Sequence, residues 1–257
     1  MMTMDCHNRR SCLGSMSVIY DVPMTEIEEF LRDVDLDEHY KRTHPRALGD
    51  SEITRLFEQQ FGRVSTPLER VYWFHLTRAA EGADFRDGIL PLGQALDRVW
   101  ETVLTVFRDP PEHNNLRLLR ERGVPDWHYG TKVGQPLLGG PYAMLVRESA
   151  FRAREMGNHD YLWLPEIMED ICNGYREAYG HVIHERLCNA LTPFIVKFWS
   201  TKMLGKNCVE SAMYYLYSTA HEEELCDLAN TCYDGANSRV PPERIVCVGV
   251  PRPVYDD

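Results

Sequence analysis

Residues 72–92 read YWFHLTRAAEGADFRDGILPL, and this stretch carries the strongest structural and chemical signal in the chain. Its opening, residues 71–76, is aromatic and apolar enough to form a buried strand, and it carries one histidine, His75. Because side chains alternate along a strand, His75 and Thr77 point to the same side and form a small polar platform at the strand end. A buried strand has little use for an imidazole without a bonded partner, so we predict a ligand site here.

The composition is that of an ordinary globular chain. Its 257 residues are 44% hydrophobic and 26% charged, which is enough for one large domain with a full core. The formal net charge of −11 disfavours general attraction to nucleic acid or to a membrane surface. No stretch approaches the roughly 20 apolar residues of a membrane span, and the first residues lack the apolar core of a secretory signal. The eight cysteines include no Cys-x-x-Cys pair, which indicates free thiols in a reducing cytoplasm.

Helical and strand-like patterns are mixed along the chain without strict alternation. Apolar residues recur at helical spacing over 93–107. Short buried strands are predicted at 71–76, 127–133, 142–146, 193–199 and 244–250. This order favours an α+β fold with a small split, mixed or antiparallel sheet, inserted helices and a helical N-terminal extension.

Three segments are predicted along the chain. Residues 1–17 are polar and irregular, which is typical of a disordered segment or a leader. Residues 18–64 contain helix caps and apolar faces, which predict a helical N-terminal extension. Residues 65–257 form the main domain, because no linker or low-complexity tract divides them.

Two patterns resemble metal motifs but lack a ligand set. His181 and His184 share one face of a helix, but Glu185 follows the pair instead of completing an H-E-x-x-H motif, which indicates solvated surface histidines. Residues 221–226 (HEEELC) with Cys232 lack the C-x(2–4)-C spacing of a zinc site, and a charged helix turn with a buried cysteine accounts for them. We therefore predict no metal.

The stretch around His75 resembles the opening of the ADP-ribosyltransferase fold, in its diphtheria-toxin-like and poly-ADP-ribose-polymerase-like branch. In that family the first strand carries a His-Gly-Thr-like motif, followed by a Gly-Ile/Leu element. The counterparts in this chain are residues 74–77 (FHLT) and 88–90 (GIL), with Leu76 where glycine is common. The resemblance implies that His75 bonds a ribose hydroxyl on the nicotinamide side of NAD.

Further residues take roles by the same resemblance. Thr77 would support the strand end, and Arg78 would do the same or meet the pyrophosphate. Residues 139–142 (GGPY) are similar to the family's Gly-x-Tyr element, which implies that Tyr142 stacks on nicotinamide, with Tyr129 as the rival for that role.

The catalytic carboxylate is assigned in the same way. Glu243, in Glu-Arg-Ile-Val, is similar to the family glutamate that bonds the ribose 2′-hydroxyl. Such a group stabilises the oxocarbenium charge that develops as nicotinamide leaves. Glu148, which follows the predicted strand at 142–146, is the second candidate.

The resemblance implies a cytoplasmic mono-ADP-ribosyltransferase that splits NAD at the N-glycosidic bond. The acceptor would be a protein side chain, a nucleic-acid base or water, and by analogy a bacterial toxin or phage-defence setting fits. Two alternatives stay open. One is an RNA 2′-phosphotransferase-like enzyme, with Arg78, Arg147 and Arg152 as its basic residues, and the other is a non-catalytic binding or regulatory protein on the same scaffold.

Overall fold

The computed structural model describes residues 2–63, 67–135 and 139–251. Within these ranges the chain forms ten α-helices and a six-stranded sheet, which confirms the predicted α+β class. The strands are β1 (Thr3–Met4), β2 (Arg70–Ala79), β3 (Tyr142–Met144), β4 (Thr192–Ser200), β5 (Cys232–Asp234) and β6 (Ile245–Gly249). The helices are α1 (Arg9–Tyr20), α2 (Met24–Asp33), α3 (Leu36–Thr43), α4 (Gly49–Phe61), α5 (Leu92–Val106), α6 (Glu112–Arg122), α7 (Trp127–Gly134), α8 (Glu166–Tyr179), α9 (His184–Ala190) and α10 (Lys206–Ala220).

The long strands β2 and β4 form the centre of the sheet. They pair antiparallel from Val71 opposite Ser200 to Ala79 opposite Thr192, in the strand order β5-β3-β2-β4-β6. Both strands are rich in aromatic and β-branched residues, which suit a pleated surface that is buried on both sides. The strands predicted at 71–76 and 193–199 are therefore present, and each is longer than its apolar run.

The N-terminal segment enters the sheet between β2 and β3. In the part of the chain that the structure describes, β2 and β3 are paired at Phe74 opposite Met144. β1 runs parallel to the start of β2, with Thr3 opposite Arg70, and Cys6 forms an isolated parallel bridge to Val146. The N-terminal segment therefore lies between the start of β2 and the residues that follow β3. Because it runs parallel to β2, the sheet is mixed.

Disorder, one of the two alternatives predicted for 1–17, is wrong for the described residues 2–17, most of which lie in β1 or α1, and the alternative of a leader stays a prediction. Asn8 caps α1, because its side-chain oxygen accepts from the Ser11 N–H at 2.8 Å and the Ser11 hydroxyl accepts from the Asn8 N–H at 3.0 Å. Met16 and its apolar neighbours on this helix are buried. The polar residues that look irregular in the sequence are thus the cap and first turn of an amphipathic helix.

The strand predicted at 127–133 is also wrong, because these residues form α7. Asp126 caps this helix, and its carboxylate accepts from the Tyr129 N–H at 2.9 Å. Of the aromatic residues that favoured a strand, Tyr129 lies against the apolar cluster of the surrounding helices, whereas Trp127 is exposed. Local capping and tertiary packing here override the strand propensity of the side chains.

The hydrophobic core has three parts. The largest joins α1, α2, α4 and α10 to one face of the sheet, through residues such as Trp73 and Phe198. A second lies among α5, α6, α8 and α9, around Trp100 and Tyr175. The third covers part of the opposite sheet face around Phe74. The helices within 18–64 thus share a core with the sheet. None of the helices in the described ranges has the length and apolar character needed to cross a bilayer.

Two substitutions on α1 test whether the N-terminal helix belongs to the core. Met16 is fully buried, whereas Val18 on the same helix is 63% exposed. Met16→Ala is expected to lower the free energy of unfolding by about 3 kcal/mol, because it removes buried atoms and leaves a cavity. Val18→Ala is expected to change it by less than about 0.5 kcal/mol. Urea unfolding measures both, and equal effects would show that α1 does not pack as described.

Candidate functional site

His75 lies on β2, next to the residue at which β2 and β3 pair, and its imidazole is half-buried. Its Nδ1 is 2.7 Å from the main-chain carbonyl oxygen of Tyr142. A carbonyl oxygen only accepts, so Nδ1 carries the proton and donates, and Nε2 presents a lone pair. Among the described residues Nε2 has no hydrogen-bond partner. The geometry thus fixes one tautomer and leaves one acceptor available.

The protonation state of His75 follows from its surroundings. Burial lowers the pKa of His75 below its ordinary value of 6.5, and the hydrogen bond to the Tyr142 carbonyl offsets this in part. The ring is therefore neutral at neutral pH. A neutral imidazole with a free Nε2 can accept a hydrogen bond from a hydroxyl group, which is what a ribose offers.

Thr77 shares the His75 side of β2, as the strand period predicts. It is half-buried and lies opposite Phe194, while His75 lies opposite Val196. Deeper on the same face, Trp73 packs in the main core. The polar platform therefore follows Trp73 on this face, with His75 at the middle of the β2–β4 pairing and Thr77 nearer the end of β2.

Tyr142 begins β3, and its side chain is on the other face of the sheet. Phe74 pairs with Met144, so by alternation Tyr142 shares the Phe74 face and His75 does not. Strand pairing places Asp234 of β5 directly beside Tyr142. Burial raises the pKa of the Tyr142 hydroxyl, and the negative charges of Asp234 and Glu166 raise it further. The structure thus brings His75 to the main chain of Tyr142, and Asp234 to its side chain.

The Arg78 side chain is hydrogen-bonded to main-chain oxygens of the protein itself. Its guanidinium donates to the main-chain oxygens of Leu162 at 2.6 Å and Leu191 at 2.5 Å, and also to that of Cys188. Cys188 and Leu191 lie at the end of α9, where helix carbonyls lack partners of their own. The side chain predicted to support the strand end or meet a pyrophosphate therefore joins the end of α9 and the loop before α8 to the sheet.

Tyr129 and Glu148 lie in other parts of the molecule. The Tyr129 hydroxyl accepts from Trp100 Nε1 at 3.0 Å, within the cluster of α5 to α9. Glu148 lies in a short 3₁₀ helix, and its carboxylate accepts from the Tyr215 hydroxyl at 2.8 Å, beside α10. Neither side chain has a contact with His75 or Tyr142.

Glu243 lies towards the opposite end of the sheet from the polar platform. It is exposed and precedes β6, whose first residue, Ile245, pairs with Phe198. His75, in contrast, is level with Val196 and Val248, near the far end of β6. Asp234, which pairs with Tyr142, is a carboxylate that the sequence analysis did not select. The sequence showed it as part of an Asp-Gly turn, but only strand pairing reveals its neighbour.

The two histidines of the HxxH pattern differ in burial. His181 is exposed, as predicted, whereas His184 is buried and its ring stacks on Trp163 with an interplanar angle of 14°. The description of both as solvated surface residues is therefore wrong for His184. No group of three His, Cys, Asp or Glu residues within 2–63, 67–135 and 139–251 is arranged to hold a metal ion.

Comparison with protein-family models, with curated proteins and with solved structures finds no match for this chain. The resemblance carried by residues 74–77 and 88–90 therefore stays a prediction. Functional assignment depends on the geometry around His75.

The tautomer and pKa of His75 are open to direct measurement. In an NMR titration the His75 ring is expected to show a protonated Nδ1 and a midpoint below 6.5. The unfolded chain takes up this proton near pH 6.5, and the folded chain does so only at lower pH. The contribution of His75 to stability is therefore complete above about pH 6.5 and is lost as the pH falls through the folded pKa.

Burial also lowers the pKa values of His7 and His184, so the variant His75→Gln is needed to isolate one histidine. Urea unfolding between about pH 5 and pH 7 should show a shallower pH dependence in this variant than in the wild type. A His75 midpoint at or above 6.5 would contradict the described surroundings of the ring.

Proposed function

We propose that the chain is a cytoplasmic, NAD-dependent mono-ADP-ribosyltransferase. The observation that supports this most directly is the His75 imidazole, which is neutral, oriented by the Tyr142 carbonyl, and has a free Nε2 lone pair. Such an atom suits a hydrogen bond from a ribose hydroxyl, the role that the resemblance assigns to His75. The cysteines given by the structure are free thiols, which supports a reducing compartment such as the cytoplasm, where NAD is present.

Asp234 is the carboxylate that we propose for charge stabilisation, in preference to Glu243 and Glu148. His75 contacts the main chain of Tyr142, and Asp234 pairs with the same residue across β3 and β5. The Tyr142 ring is 41% exposed and offers an aromatic surface beside this carboxylate. The Tyr142 ring and Asp234 share the sheet face opposite to His75, so a dinucleotide that uses all three groups would have to pass around the end of β3.

The reaction needs these groups for distinct steps. The bond between ribose C1′ and the nicotinamide nitrogen breaks, and its electron pair leaves with nicotinamide. The positive charge that develops on the ribose is stabilised by a nearby carboxylate. A nucleophilic atom of the acceptor then bonds to C1′ and loses its proton. His75 would hold the ribose in place during both bond changes.

The positions of the arginines do not favour the RNA 2′-phosphotransferase alternative. Arg78 is engaged by three carbonyl oxygens, and Arg152 pairs with Glu155 at 3.1 Å on an exposed turn. Arg147 packs over the Phe151 ring. The three side chains are thus held by three different sets of neighbours.

Labelled NAD and a pair of histidine variants test the proposal. His75→Ala is expected to reduce nicotinamide release about 100-fold, because the contact that orients the ribose is lost. His113→Ala is a matched control, since His113 is also half-buried and its Nδ1 lies 2.9 Å from a main-chain carbonyl, that of Phe107. The control should retain wild-type turnover. Label on a macromolecule would identify transfer, and free ADP-ribose would identify hydrolysis.

The proposal fails if the wild-type protein neither releases nicotinamide nor gains thermal stability from NAD. That result would favour the non-catalytic binding protein, because a ligand that binds only the folded state raises the melting temperature.

The carboxylate is tested by two amide substitutions. Asp234→Asn removes the charge but keeps an oxygen that can accept from the Ala236 N–H, which now donates to Asp234 at 2.8 Å. It is expected to reduce NAD cleavage by about 100-fold, whereas Glu243→Gln leaves cleavage unchanged. The opposite ranking would return the catalytic role to Glu243.

A further inference from the structure

One region of the sheet surface carries aromatic rings and positive charges together. We call it the basic face and define it by Arg70 and Tyr72 of β2, Lys197 and Trp199 of β4, and Arg244 just before β6. Strand pairing places Tyr72 opposite Trp199, on the side of the sheet that also carries Phe74. All five side chains are half-buried rather than sealed.

Two arginines lie against the indole of Trp199. The guanidinium carbon of Arg70 is 4.2 Å from the ring centre and that of Arg244 is 5.0 Å away. They approach from the two strands that flank β4, namely β2 and β6. Within the described ranges neither guanidinium has a carboxylate partner, and the buried Nε of Arg70 has no hydrogen-bond partner. The terminal nitrogens of both guanidinium groups therefore retain donors for an anion, whereas the buried Nε of Arg70 is not accessible to one.

Lys197 continues the positive charge along the face. Its Nζ lies 4.5 Å from the centre of the Tyr72 ring and pairs with Asp5 at 2.6 Å. Burial lowers the pKa of the nearby His7, and the positive charges of Lys197 and Arg147 lower it further, which outweighs the effect of Asp5. The surroundings of His7 are thus electropositive although one carboxylate is present.

The charge of this region contrasts with that of the chain. The protein has a formal net charge of −11, yet three cations of the basic face lie within reach of two aromatic rings. The acidic groups nearby are Asp5, which is paired with Lys197, and Glu69 and Glu243, which are exposed and immediately precede Arg70 and Arg244. A polyanion would meet two guanidinium groups here, those of Arg70 and Arg244, that have no carboxylate partner among the described residues.

We propose that the basic face binds single-stranded nucleic acid. Phosphate groups would pair with Arg70, Arg244 and Lys197, and unstacked bases would lie on Tyr72 and on the guanidinium planes. A duplex hides the faces of its bases from such a surface, and an acidic peptide offers negative charge but no nucleobases to stack on the rings. The inference does not depend on the proposed transferase activity.

Fluorescence anisotropy with a labelled oligo(dT) of about 20 nucleotides, longer than the site of one small binding domain, tests this surface. The double variant Arg70→Ala/Arg244→Ala is expected to bind at least about 10-fold more weakly than the wild type. The slope of log K against log salt should become shallower by about 1.4, the value for two lost phosphate contacts to a single strand. Circular dichroism and thermal melting check that the variant is folded.

The matched control is Arg117→Ala/Arg186→Ala. It removes the same total charge, and Arg186 also stacks on an aromatic ring, that of Phe107 at 4.8 Å. This variant should bind within about twofold of the wild type. Tyr72→Leu removes a stacking surface but no charge, so it should weaken binding and leave the salt slope unchanged.

Three results would overturn the proposal. One is a wild-type protein that does not bind the oligonucleotide at about 50 mM salt, where phosphate contacts are strong. Another is equal weakening by the two double variants, which would show a general charge effect. The third is equally tight binding of a duplex or of an acidic peptide, which would show that the surface does not recognise unstacked bases.

Discussion

The antiparallel pairing of β2 with β4 is the contact on which the rest of the structure depends. These two strands carry the apolar side chains on which both sheet faces pack, and β2 also pairs with β1 and β3. Because the strands are covered on both sides over much of their length, the polar side chains within them, such as His75 and Lys197, have partners in the protein. His75 lies at the middle of the pairing, opposite Val196, and the basic face around Trp199 lies towards the end of β4.

Polar side chains on β2 have different roles because alternation directs them to different neighbours. His75 makes one hydrogen bond, to the Tyr142 carbonyl, and its Nε2 has no hydrogen-bond partner among the described residues. Arg78 donates to three carbonyl oxygens around the end of α9, so its hydrogen bonds hold the fold together. Residue type alone does not separate these roles, since both side chains could bind a phosphate-bearing ligand.

Several elements were predictable because their signals are local. The central strands at 71–76 and 193–199 follow from continuous apolar runs, and the α5 helix follows from apolar residues at helical spacing. The wrong secondary-structure predictions concern two segments in which a helix cap determines the structure. Asn8 starts α1 in a segment that looks disordered, and Asp126 starts α7 in a segment with strand-like composition. A helix cap is a single residue, so its contribution is small when the helix and strand propensities of all residues in a segment are compared.

The sequence by itself determined the α+β class, the two central strands, and the shared side of His75 and Thr77, because these depend on periodicities within one segment. Only the tertiary structure decided that His75 meets the main chain of Tyr142, that Asp234 lies beside Tyr142, and that Glu243 lies towards the other end of the sheet. Those positions depend on the register between strands that are far apart in the chain. Register is set by packing of the whole core, so no local pattern encodes it.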